Sequence, residues 1–177
     1  MKNKKKIAVL FITIFIVLGA LYTVDEYSKE NTKTETKENV NQSTAIDFKL
    51  KDFEGKEITL SSLKGKNVYL NFWATWCPPC KGELPDIEKL YEETKNSDLV
   101  ILAVDINEPI FTVKAFVDSN KYNFKVLLDL DGSVAQKYNI TGIPASYFID
   151  KEGKVVYKKV GAMNMEEMRE AVKSLSK

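Results

Sequence analysis

Three patterns of apolar and polar residues follow one another along the 177-residue chain. The stretch from Ile7 to Val24 carries no charge, and as a helix at about 1.5 Å per residue it would reach about 27 Å, close to the hydrocarbon thickness of a bilayer. A domain of this size rarely buries a helix that is apolar on every face. Residues 1–24 are therefore expected to form an N-terminal transmembrane anchor. A cleaved secretory signal is the competing reading, with Leu18-Gly19-Ala20 as a poor version of the small-residue cleavage pattern. Asp25 to Ala45 is polar, of mixed charge and too poor in large apolar side chains to offset its ordering entropy. Residues 25–45 are expected to be a flexible tether with a root-mean-square reach of about 25 Å.

From Ile46 onward, short apolar runs alternate with segments of helical periodicity. Asn67 to Ala74, Leu99 to Ile106, Lys125 to Leu128 and Ala145 to Asp150 read as strands, and Lys154 to Val160 returns on the last of these through Lys151-Glu152-Gly153. Cys80 to Thr94, Thr112 to Ser119, Ser133 to Tyr138 and Met165 to Leu175 read as helices between and after them. Strand and helix alternate first and a hairpin closes the chain, with a β addition from Phe48 to Leu60 ahead of them. This order predicts an α/β fold in residues 46–177, a central mixed sheet flanked by helices. Tyr69, Leu70, Phe72, Val104 and Phe148 are its core candidates.

Charge adds an orientation and removes some functions. Lys2, Lys4, Lys5 and Lys6 precede the apolar run, and by the positive-inside tendency they stay in the cytoplasm, which puts the following domain on the extracytoplasmic side of the cell membrane. No cysteine follows the run to carry a lipid. Asp47 to Lys177 holds 19 basic and 20 acidic residues, a balance without the basic footprint that nucleic-acid binding needs. The chain has no histidine, so Ser-His and Cys-His nucleophiles are excluded.

The chemistry is concentrated in Trp73-Ala74-Thr75-Trp76-Cys77-Pro78-Pro79-Cys80, where an apolar strand gives way to a helix. Two intervening residues allow Cys77 to sit at the N-cap with Cys80 one turn in, so their sulfurs can bond across a single turn. A thiolate at a helix N-terminus is stabilised by the dipole and by free N–H groups, which makes Cys77 the expected nucleophile. Pro78 and Pro79 contribute no N–H, leaving the Cys80 amide as the nearest donor to the Cys77 sulfur. Two inert readings compete. A structural disulfide enclosing two residues would constrain the unfolded chain little. A metal site lacks a third Cys or any His, so neither metal nor cofactor is expected.

Asn71 to Cys80, with Lys81-Gly82-Glu83-Leu84-Pro85 and Thr141-Gly142-Ile143-Pro144, resembles the membrane-tethered TlpA/ResA-like branch of the thioredoxin superfamily over about Ile46 to Lys177. The resemblance implies a thioredoxin-like fold, in which Pro144 is cis and faces the cysteines. The backbone beside it, with Ile143, would pair with an extended substrate, and Trp76 would form the rim. It matches Pro85 to a helix-kinking proline. It also places Asn71 where cytosolic thioredoxins have a buried aspartate, and it assigns Glu83, one turn beyond Cys80, to tuning the cysteine pair and taking the Cys80 proton. Trp73 is read as core wall. The implied reaction is dithiol-disulfide exchange through a redox-active Cys77-Cys80 pair. Exported proteins such as apocytochromes c or cell-envelope factors would be reduced, and a membrane thiol carrier of the CcdA type would supply electrons. Three alternatives stay open: a disulfide donor with the same site, a non-enzymatic metal- or client-binding module, and a thiol peroxidase. The last needs Pro-x-x-x-(Thr/Ser)-x-x-Cys; counted back from Thr75, Asn71 stands where that proline would be, and Thr75 is two residues before Cys77.

Overall fold

A computed structural model describes residues 43–175. The expected anchor and most of the expected tether, residues 1–42, lie outside the described residues. The chain forms β1 (Lys49–Lys51), β2 (Glu57–Thr59), a 3-10 turn (Leu60–Leu63), β3 (Asn67–Trp73), α1 (Pro78–Thr94), β4 (Leu99–Ile106), α2 (Ile110–Asn120) and β5 (Lys125–Asp129). After these come α3 (Ser133–Lys137), β6 (Ala145–Ile149), β7 (Val155–Val160) and α4 (Met165–Ser174). Among the described residues no helix is long and apolar enough to cross a membrane.

The seven strands form one sheet in the order β2-β1-β5-β4-β3-β6-β7. β3, β4 and β5 are parallel, each joined to the next through a helix, and β6, β7, β1 and β2 add antiparallel edges. The central strands read as continuous apolar runs because both faces are covered. Along β3, Tyr69 and Trp73 enter the core shared with Leu84, Ile87 and Leu90 of α1, Val113 and Val117 of α2, and Met168 and Ala171 of α4. Val68, Leu70 and Phe72 enter a second core with Phe48, Val134, Ala135, Tyr138 and Tyr147. Tyr69 stacks on Phe148, with ring centroids 4.3 Å apart.

Among the described residues every expected strand and helix is present, most with shifted ends. α1 begins at Pro78, not Cys80, because proline presets the helical φ and its missing N–H is an orphan in the first turn anyway. α2 begins two residues early, at Ile110 after Pro109. Pro85 lies inside α1, so the Lys81 carbonyl loses its intrahelical donor. The ordered domain also starts before Ile46. Thr44 bridges Lys154, Val155 N–H donates to the Ser43 carbonyl at 2.9 Å and Ala45 N–H to the Gly153 carbonyl at 2.9 Å. Composition placed these residues in the tether, but backbone pairing with an edge strand does not depend on side-chain polarity.

Candidate active site

β3 ends at Trp73, and the chain crosses Ala74-Thr75-Trp76 to reach Cys77 at the N-cap of α1. Cys77 has extended backbone (φ −87°, ψ 108°), and its Sγ accepts the Cys80 N–H at 3.2 Å, the one donor that Pro78 and Pro79 leave within reach. No acidic side chain occupies the first turn of α1. Cys77 and Cys80 are disulfide-bonded, with Cα atoms 5.3 Å apart. Both residues are nearly buried, whereas Trp76 beside them is 66% exposed. Trp73 is fully buried, its ring 5.6 Å from that of Phe116, and its indole N–H has no partner.

Facing the cysteines is the segment before β6. The Ile143-Pro144 peptide is cis, and the Ile143 carbonyl oxygen lies 3.8 Å from Cys77 Sγ, close enough to receive the thiol proton of the reduced enzyme weakly. A substrate strand pairing here would thus lie directly over the reactive sulfur. Two clefts, of about 270 and 380 Å3, are lined largely by residues of the β addition and the turns around it, and neither includes a cysteine. The disulfide, with Cys77 3% and Cys80 0% exposed, lies in neither cleft and is bordered by the exposed Trp76.

Glu83 projects from the first turns of α1 into the core and is 2% exposed. Its Oε1 accepts the Asn71 side-chain N–H at 2.7 Å, and its Oε2 accepts the Met163 backbone N–H at 2.8 Å. Asn71 also donates to Ser146 Oγ at 3.1 Å, and Ser146 shares a 3.3 Å bond with the Tyr69 hydroxyl. The carboxyl is pushed up to about 7 by burial, while the Met163 and Asn71 bonds and the more distant Lys159 oppose the rise. It is a buried acid that can change protonation near neutral pH.

The sequence-predicted residues Cys77, Cys80, Trp76, Ile143 and Pro144 thus lie together at one end of β3 and β6, with Glu83 beneath them. Sequence reasoning missed Ser146 and the Met163 amide. A polar residue among the buried positions of β6 was the only signal for Ser146, and a backbone N–H leaves none. It also passed over Asp105, a charge inside the otherwise apolar run Leu99–Ile106. Among the described residues no group of three or more His, Cys, Asp or Glu is arranged to hold a metal ion.

A family model described as "AhpC/TSA family" matches residues 42–158. The chain is 37% identical over 177 residues to a thiol-disulfide oxidoreductase ResA of Bacillus cereus, covering 98% of this chain and 99% of that one. It is 40% identical over 164 residues to the ResA of Bacillus subtilis strain 168, covering 92% and 89%. Among solved structures it is similar to StoA from Bacillus subtilis, with TM-score 0.65 and 30% identity over 74% of this chain and 98% of that one. It is also similar to a Chlorobium tepidum protein assigned as a thiol:disulfide interchange protein DsbE, with TM-score 0.70 and 28% identity over 76% of this chain and 96% of that one.

Proposed function

We propose, from the premise that this chain belongs to the AhpC/TSA family and is a thiol-disulfide oxidoreductase of the thioredoxin superfamily, that it works as an extracytoplasmic reductase of exported proteins. In the forward step the Cys77 thiolate attacks one sulfur of a substrate disulfide, forming a mixed disulfide and releasing the other sulfur as a thiolate that takes up a proton. Cys80 then loses its proton, with Glu83 as acceptor, and attacks Cys77 Sγ. The substrate leaves with two thiols and the enzyme keeps the Cys77-Cys80 disulfide. Trp76, Ile143 and Pro144 would hold the substrate strand over Cys77.

The observation that carries the reducing direction is the weak stabilisation of a Cys77 thiolate. One peptide N–H reaches the sulfur, two prolines follow, and the ionised form of Glu83 opposes further negative charge. A pair whose thiolate is weakly held does not favour its reduced state strongly, and so is a poor oxidant and a good reductant. Reducing equivalents must then return from inside the cell. A membrane thiol carrier of the CcdA type fits that need, and the lysines ahead of Ile7 support a single-pass anchor with residues 46–177 outside. Apocytochromes c and cell-envelope factors are the clients this reading favours.

The equilibrium potential of the Cys77-Cys80 pair in the full chain, measured against dithiothreitol or glutathione buffers, tests the direction. A value near or below about −250 mV is expected of a reductase. A value above about −150 mV would make the protein a disulfide donor. Recovery in the membrane fraction, with residues 46–177 open to protease added outside spheroplasts, tests the anchor; a soluble cytoplasmic protein would end that part of the reading.

A further inference from the structure

A second group of buried acids lies on the cysteine face of the sheet. Asp105, in β4, is 1% exposed and stands opposite Trp73 across the β3–β4 ladder. By strand alternation it follows Ile101 and Ala103, which pack in the core that holds Cys77 and Cys80. Neither of its carboxyl oxygens receives a hydrogen bond. Beyond β4, Asn107 takes the left-handed conformation (φ 58°) and its N–H donates to the Asp129 carbonyl at 3.0 Å. This turn brings Glu108, 8% exposed, against the segment that leads into the cysteines. Glu108 Oε2 accepts the Thr75 N–H at 2.6 Å and Oε1 accepts the Thr75 hydroxyl at 2.6 Å. Thr75 is two residues ahead of Cys77, so Glu108 grips the loop that delivers the nucleophile.

Asp105 lies within hydrogen-bonding reach of Glu108, and the charges acting on it are those of Glu108 and Asp129, both acidic. Asp129 has its own oxygens engaged by the N–H groups of Val134 at 3.1 Å and Ala135 at 2.8 Å. An ionised Asp105 would be a buried anion without a donor, beside two further acids. A protonated Asp105 needs one acceptor for its O–H, and Glu108 supplies it.

We propose that Asp105 is a positioning residue that stays protonated in the working enzyme and donates its proton to Glu108, so that the two carboxyls act as a singly charged clamp on Thr75 and the Cys77 loop. Burial and the neighbouring acids push the Asp105 carboxyl up to about 8, in keeping with that state. At higher pH the proton passes to solvent. Two adjacent anions then repel, the hold on Thr75 loosens, and the added charge opposes a thiolate at Cys77. The inference rests on Cys77 as the attacking thiol, not on the direction of exchange.

The test uses the full chain in its disulfide form, where neither cysteine titrates, so it gives an answer even if the protein proves to be a disulfide donor. The Thr75 amide proton is followed by NMR from pH 5 to 10. One titration step well above the ordinary carboxylate range is expected in the wild type. It should persist in Glu83→Gln and vanish in Asp105→Asn, whose amide donates to Glu108 at every pH. An amide that does not titrate, or titrates alike in Asp105→Asn, overturns the proposal. Should Asp105→Asn fail to fold, Glu108→Gln gives a second reading: its amide donates to Asp105 and favours the carboxylate, so the step should be lost or move toward the ordinary range, and an unmoved step overturns the proposal. In the reduced enzyme the pH midpoint of Cys77 alkylation should lie at least about 0.3 of a pKa unit lower in Asp105→Asn than in wild type; equal midpoints would mean that the clamp does not reach the nucleophile.

Discussion

Glu83 lies where burial opposes its charge while two N–H donors, from Asn71 and Met163, favour it, and the balance leaves the carboxyl at about 7 against an ordinary 4.5. Because the folded-state value is raised, the folded protein holds this proton more tightly than the unfolded chain does. The associated stability is full below pH 4.5 and is lost as pH rises through about 7. Glu83→Gln cannot titrate, so its stability relative to wild type should improve between pH 5 and pH 8 by a few kcal/mol at most, on the order of 3. Urea unfolding of both proteins at the two pH values measures this, and a constant difference would refute it. The same variant removes a negative charge near the cysteines, so the thiol alkylation profile should move to lower pH. An unmoved profile would take Glu83 out of the chemistry. At the sulfurs themselves, Cys80→Ser should accumulate a mixed disulfide between Cys77 and its client, visible on non-reducing gels, whereas Cys77→Ser should abolish exchange and trap nothing.

At the scale of elements, the active site is built where helix ends meet strand ends. α1 presents Cys77 at its N-cap, and α4 starts just after Met163, whose N–H binds Glu83. The start of α4 is fixed by a capping box: Asn164 accepts the Glu167 N–H at 3.0 Å, and Glu167 accepts the Asn164 N–H at 2.9 Å. Lys159 of β7 pairs with the same Glu167. Asn164→Ala should cost about 1 kcal/mol of stability, read as a shifted denaturation midpoint. Because the cap holds Met163 in place, the loss should also weaken the bond to Glu83 and raise its carboxyl further. A variant with unaltered stability would show that the box contributes nothing here.

At the scale of the molecule, one sheet separates two cores, and the cysteines belong to the one closed by α1, α2 and α4. The stack of Phe148 on Tyr69 lies at the centre of that core, across the β3–β6 ladder. Phe148→Ala should cost about 3–5 kcal/mol, a large share of the roughly 5–15 kcal/mol that holds a domain folded. A fall in melting temperature of only a degree or two would mean that the two cores do not unfold together.

Much of this was legible in the chain itself. The apolar runs determined which segments become strands, because a strand buried on both faces leaves few places for polar residues, and the spacing of Cys77 and Cys80 at a strand-to-helix junction pointed to the chemistry that the surrounding motifs then specified. Glu83 and Pro144 were readable through their surrounding motifs. The sheet order, the pairing of Ser43–Ala45 and the partners of Glu83 were decided only in three dimensions. Asn71, Ser146 and the Met163 amide are separated by up to 92 residues, and their contact depends on β3 lying between β4 and β6. Asp105 shows the limit most clearly: a charge inside an apolar strand was a signal the sequence reading passed over, and only the fold set it beside Glu108 without a donor. Sequence carries local geometry and residue chemistry. Burial and long-range partners, which set the pKa of a buried acid, exist only once the chain has packed.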